Sequence, residues 1–186
     1  MTASGLFRRS LACAIVLGGG GVLAGPAQAK DQGHGIVHMH GEILDTACNV
    51  DTSSRDQTID MLSQPVSDIV SHDAGQERPF SIRLVNCVLT RVSPNNKPLN
   101  DWSKFQITFE GAHDHDAFGV DGDARGVALQ IRDDIGNVAI PGEPMPVGTL
   151  MPGNMQLNYT LRLIGDGEVL LAGTYHTTIR YKLDYY

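Results

Sequence analysis

Leu157-Asn158-Tyr159-Thr160-Leu161-Arg162-Leu163 carries a large apolar or aromatic side chain at every second position, with a polar one between. Successive side chains of an extended chain point to opposite sides, so this stretch reads as a strand with one face in a core and the other in water. The same period recurs in Phe80-Ser81-Ile82-Arg83-Leu84, Phe105-Gln106-Ile107-Thr108-Phe109 and Val127-Ala128-Leu129-Gln130-Ile131. Turn-forming clusters separate these runs: Ser93–Pro98, Asp121–Gly126, Ile135–Asn137, Pro141–Pro146, Pro152–Asn154 and Gly165–Gly167. No long 3.6-residue period, internal repeat or low-complexity tract interrupts them. Short half-buried strands with frequent turns imply an all-β fold of two packed sheets.

Two places fit this pattern poorly. Leu62–Gln76, punctuated by Pro65 and Pro79, has no clean period and is expected to be loop with at most one short strand. Cys87 falls in phase with Ser81, Arg83 and Val85 rather than with Phe80, Ile82 and Leu84. Either its strand is bulged or the cysteine belongs to the other face.

The start of the chain has Arg8 and Arg9, an apolar stretch from Leu11 to Ala24 broken by Gly18–Gly21, then Gly25-Pro26-Ala27-Gln28-Ala29. That is the layout of a cleaved secretory leader over residues 1–29, and the stretch is poor as a membrane span, which needs about 20 apolar residues. The remaining chain, 30–186, suits one domain. Losing Arg8 and Arg9 and no acidic residue leaves 12 basic residues against 21 acidic, a net charge of −9. Such a balance argues against nucleic acid, whose binding rests on neutralising phosphates with Lys and Arg. Cys13 leaves with the leader, so Cys48 and Cys87 remain as a pair in an oxidising compartment, where a disulfide is expected. Closing a loop of about 40 residues contributes about 4 kcal/mol in the chain-entropy model. A zinc site lacks convergent partners at ligand spacing.

Both ends of the mature chain also alternate. At the C-terminus Tyr175, Thr177, Ile179, Tyr181, Leu183 and Tyr185 share one face, and His176, Thr178, Arg180, Lys182 and Asp184 the other. At the N-terminus Gly33, Gly35, Val37, Met39, Gly41 and Ile43 alternate with His34, Ile36, His38, His40 and Glu42. First and last strands of the domain's own sheets would have the same pattern. The combination of a glycine-marked leading strand with a tyrosine-rich closing one also suits addition of a strand to a sheet edge.

With these residues in view, the sequence resembles the pilins of chaperone-usher fimbriae. Gly33–Cys48 resembles the donor-strand extension of that family running into the first domain strand and first cysteine, and Phe80–Cys87 resembles the approach to the second cysteine. Gly126–Gly136 resembles an internal strand and turn, and the chain ends with the family's signature of a glycine fourteenth from the end and a penultimate tyrosine, here Gly173 and Tyr185. The resemblance implies an incomplete immunoglobulin-like β-sandwich of six strands plus an N-terminal donor strand, with a leader over 1–29, an extension over 30–40 and a pilin domain over 41–186. It implies a periplasmic pilus chaperone, an outer-membrane usher and neighbouring pilin subunits as partners, and a place in a pilus on the cell surface. Carried over residue by residue, Val37 and Met39 become apolar plugs of the donor strand and Gly35 its close-approach residue. Gly173, Tyr175, Tyr181, Leu183 and Tyr185 become the chaperone-recognition motif, and Cys48 and Cys87 the family disulfide. The runs near Phe80, Gly126 and Leu157 are more similar to minor subunits, including the terminator of P-type pili, than to the abundant type 1 shaft subunit.

Other chemistries find less support. His38 and His40, or His113 and His115 with Asp114 and Asp116, could share an ion, but solvent-facing residues explain them as well, and no metal or other cofactor is expected. No Gly-x-Ser-x-Gly, His-Glu-x-x-His or glycine-rich phosphate loop is present, so neither an enzyme nor a small-molecule substrate is expected. The alternatives to a polymerising structural subunit are a pilus terminator or anchor subunit, and a one-domain tip adhesin binding a host glycan around Trp102, His113 and Phe118.

Overall fold

The computed structural model describes residues 35–41, 43–72 and 74–186. The expected leader, with Cys13, and residues 30–34 of the expected extension, with Gly33, lie outside the described residues. The chain divides between residues 42 and 43 into two units. Residues 35–41, the described part of the first, carry no assigned helix or strand.

The second unit, Ile43–Tyr186, is built from the alternating stretches. In chain order it contains β1 (Asn49–Val50), the helical turn α1 (Thr52–Arg55), α2 (Val66–His72), β2 (Arg78–Cys87), β3 (Lys104–Glu110), β4 (His113–Asp114), β5 (Ala117–Phe118) and β6 (Asp121–Gly122). Then follow β7 (Val127–Asp133), β8 (Gly148–Thr149), β9 (Gly153–Gly165), β10 (Tyr175–His176) and β11 (Arg180–Tyr185). One sheet has the order β1-β2-β9-β7-β5-β4, a second β11-β3-β8, and β10 pairs with β6 alone. All of these pairings are antiparallel.

The period-two reading assigns the core correctly. Ile82 and Leu84 of β2, Val127, Leu129 and Ile131 of β7, and Leu157, Tyr159, Leu161 and Leu163 of β9 are buried, and they face Phe105, Ile107 and Phe109 of β3. The sheets meet in an aromatic cluster: the Phe109 ring stands edge-on to Tyr159 at 5.1 Å and to Phe80 at 6.4 Å, and Phe80 stacks on Tyr159 at 5.4 Å. Fully burying side chains of this size is worth about 1.5–3 kcal/mol each, so this layer is a main source of stability.

The phase of Cys87 is settled by a bulge. The register between β2 and β9 shifts between Leu84 and Cys87, and Asn86 takes a φ of 53°, a conformation that asparagine tolerates better than most residues. Its N–H donates to the Asn154 side chain at 3.1 Å. The extra residue returns Cys87 to the buried face, where it is disulfide-bonded to Cys48 with a Cα–Cα distance of 4.1 Å. Replacing both cysteines by alanine is expected to lower stability by about 4 kcal/mol, measured by denaturant unfolding of residues 30–186; an unchanged midpoint would overturn it.

Leu62–Gln76 departs from expectation, because it holds the helix α2 rather than a short strand. Only Ile69 of α2 is buried, so a helix of this length presents no apolar period to read.

Candidate functional site

Among the described residues the last strand has a neighbour on one side only. β11 pairs with β3 along its whole length, Arg180 opposite Glu110 through Tyr185 opposite Phe105, and stands at the end of its sheet. Just beyond, Tyr186 N–H donates to Lys104 O at 2.9 Å, and Lys104 N–H donates back to Tyr186 O at 3.0 Å. In an antiparallel ladder such bonded pairs alternate with unbonded ones. Arg180, Lys182 and Asp184 therefore direct their backbone groups at β3, while Tyr181, Leu183 and Tyr185 direct theirs at the other edge. Among the described residues no strand pairs with that edge.

The side chains of Tyr181, Leu183 and Tyr185 point inward as their period requires, and they pack against the core. They are only half-buried, however, unlike the inward rows of β3, β7 and β9. A sheet edge with unpaired N–H and C=O groups above a partly uncovered core can take one more strand.

Several contacts hold this edge in place. Ser54, buried in α1, accepts from Arg83 N–H of β2 through its Oγ at 3.0 Å, and from Tyr181 Oη through its carbonyl at 2.7 Å, so it joins the two sheets. Ile59 and Met61, alternating after α1, also pack half-buried on the core. At the far end of β11, Tyr185 meets the edge of Trp102 at 6.2 Å, and the Arg91 guanidinium lies 3.8 Å from the centre of the Trp102 ring. Burial pushes the Tyr181 phenol up, opposed by nearby Arg55, and raises that of Tyr185 against the pull of the Thr46 hydroxyl. The two phenols thus hold their protons to a higher pH than a free tyrosine would. Ser54 carries no sequence signal, being one serine in a polar run, whereas the alternation of Ile59 and Met61 was readable.

The residues grouped by the terminal motif separate in space. Tyr181, Leu183 and Tyr185 lie on the free edge, but Tyr175 belongs to β10, opposite Gly122 of β6. Gly173 sits against the same segment: a Cβ there would lie 2.5 Å from Asp123 C and Ala124 N. Gly173→Ala is expected to destabilise the fold by about 1–3 kcal/mol through overpacking, read by thermal unfolding; unchanged stability would leave this packing role without support.

Gly35, Val37 and Met39 lie in the unit described by itself, with Val37 82% and Met39 87% exposed. Among the described residues no three His, Cys, Asp or Glu side chains form a group that could hold a metal, and this includes His38, His40, His113 and His115.

Comparison with known proteins follows the same lines. No protein-family model matches the chain. The PRS fimbrial minor pilin protein and the PAP fimbrial minor pilin protein, both of Escherichia coli, are each 37% identical to it over 153 residues, covering 81% of this chain and 77% of each relative. The chain belongs to the fimbrial pilins. A chain in a solved structure of a chaperone-usher pilus superposes on this pilin with a TM-score of 0.65 at 25% identity, covering 86% of the pilin and all of that chain. The pilin thus has the immunoglobulin-like fold of chaperone-usher subunits, and it is a structural subunit of a surface pilus.

Proposed function

We propose that this pilin polymerises by strand exchange, accepting a neighbour's N-terminal extension along β11 and lending its own residues 30–40 to the next subunit. The observation that carries this reading is the backbone edge at Tyr181, Leu183 and Tyr185, unpaired among the described residues, over a half-buried inward row. A donor strand would complete the ladder and cover that row. Gly35, Val37 and Met39 suit the donor role, because Val37 and Met39 share one face of an extended chain and are exposed in this subunit.

Before assembly the same edge is an aggregation template. A periplasmic chaperone covers it during export, with Tyr181, Leu183 and Tyr185 as its contacts, and exchange follows at an outer-membrane usher. The naming of two relatives as minor pilins supports a minor rather than a shaft rank. The role is structural, with no catalytic step.

A synthetic peptide covering Lys30–Glu42 tests the acceptor edge. At a hundredfold excess over its dissociation constant, binding contributes about 2.7 kcal/mol, which for a chain of this size is a rise in melting temperature of about 5–10 °C. A mature subunit that is stable alone and indifferent to the peptide would mean that its sandwich is already complete.

A further inference from the structure

Val88 (63%), Val92 (65%), Leu99 (43%), Leu44 (65%) and Ile43 (101%) are all exposed, and the backbone draws them into one region. Val88 N–H donates to Ala47 O at 2.8 Å, Leu99 N–H donates to Arg91 O at 3.1 Å, and Val92 bridges to Pro98. Arg91 ties this hairpin to the first residues of the domain through an ion pair with Asp45 at 3.0 Å. The result is a group of exposed apolar side chains gathered around the Arg91–Asp45 ion pair where the domain begins, and grouped exposed apolar side chains rimmed by polar ones mark interaction sites.

The length of chain ahead of this surface identifies its occupant. Met39 and Ile43 are separated by four peptide steps, a reach of at most about 14 Å even when fully extended. If Met39 is seated in another subunit, Ile43 and the residues around it cannot be far from that subunit's body. We propose that the surface formed by Ile43, Leu44, Val88, Val92 and Leu99 is the seat of the neighbouring pilin that accepts the donor strand, a second contact that adds to the strand itself.

The opposite end of the sandwich offers a counterpart. β9 and the start of β7 meet there, with Val127 opposite Gly165, and Val169 (79%) and Leu171 (54%) stand exposed just beyond. A donor strand antiparallel to β11, like the other strand pairings in this fold, leaves its acceptor beside the start of β11. The contact therefore runs head to tail, one end of a subunit against the other end of the next, a geometry that propagates along a filament rather than closing.

The inference rests on the strand-exchange reading, and the experiment separates the two. Amide hydrogen exchange is compared between assembled filaments of the mature pilin and full-length Val37→Arg subunits complemented with the Lys30–Glu42 peptide, which accept a strand but cannot lend one. Residues 88–99 and 166–172 are expected to exchange more slowly in the filament than in the complemented subunit. A paired variant, Val88→Glu with Val92→Glu, is expected to keep the peptide-bound melting temperature and to lower filament yield about tenfold, the effect of losing one well-buried side chain. Equal exchange at 88–99 in both samples, or undiminished filament yield from the variant, overturns the inference while leaving strand exchange in place. Filaments formed by Val37→Arg alone overturn the strand-exchange reading beneath it.

Discussion

Val37→Arg is expected to leave the subunit folded and bound by the proposed chaperone, yet to remove it from the filament. The change lies in the proposed donor segment, outside the Ile43–Tyr186 unit, where Val37 is exposed, so the core of that unit loses nothing. In the acceptor, a valine worth about 1.5–3 kcal/mol on burial gives way to a guanidinium whose removal from water costs several kcal/mol without a partner. Every 1.4 kcal/mol is a factor of ten, so the weakening is about a thousandfold or more. Periplasmic pull-down with the chaperone and pilus content at the surface are the two measurements. Unchanged chaperone binding with absent incorporation supports strand lending; normal incorporation removes Val37 from any donor role.

Phe109→Ala is expected to act in the opposite sense, by removing the fold itself. Phe109 is 2% exposed and lies between the sheets, touching Tyr159, Phe80 and Tyr181. Deleting a ring of this size costs about 3–5 kcal/mol through lost transfer energy and an unfilled cavity. Whole domains are stable by only about 5–15 kcal/mol, and a sandwich with an open edge begins from the lower part of that range. The soluble chaperone complex should fall to trace yield, and any protein recovered should melt far below the parent. Ile135→Ala is the control, since that side chain is 82% exposed in a turn and surface changes of this kind stay within about 0.5 kcal/mol. Equal behaviour of the two variants would move Phe109 out of the core.

Alternation by itself determined which residues face inward. The inward sets of β3, β7 and β9, and the half-buried row from Tyr175 to Tyr185, were readable because a strand's side chains have a strict period of two and burial of one face leaves it visible in composition. The pairing of Cys48 with Cys87 was readable for a similar reason, since only two cysteines lie beyond the expected leader. What required the tertiary structure was everything set by neighbours distant in sequence. The bulge at Asn86, which rescues the phase of Cys87, arises from register against β9. The helix α2 is too short, with Ile69 as its one buried residue, to leave a period. Ser54 joins two sheets through groups that any serine possesses. Above all, Tyr175 and Tyr181 look alike along the chain, and only the fold shows one in a strand pair with β6 and the other on an edge that no strand among the described residues pairs with. Period reports which way a side chain points, but whether a strand has one neighbour or two depends on how the whole chain is threaded through its sheets.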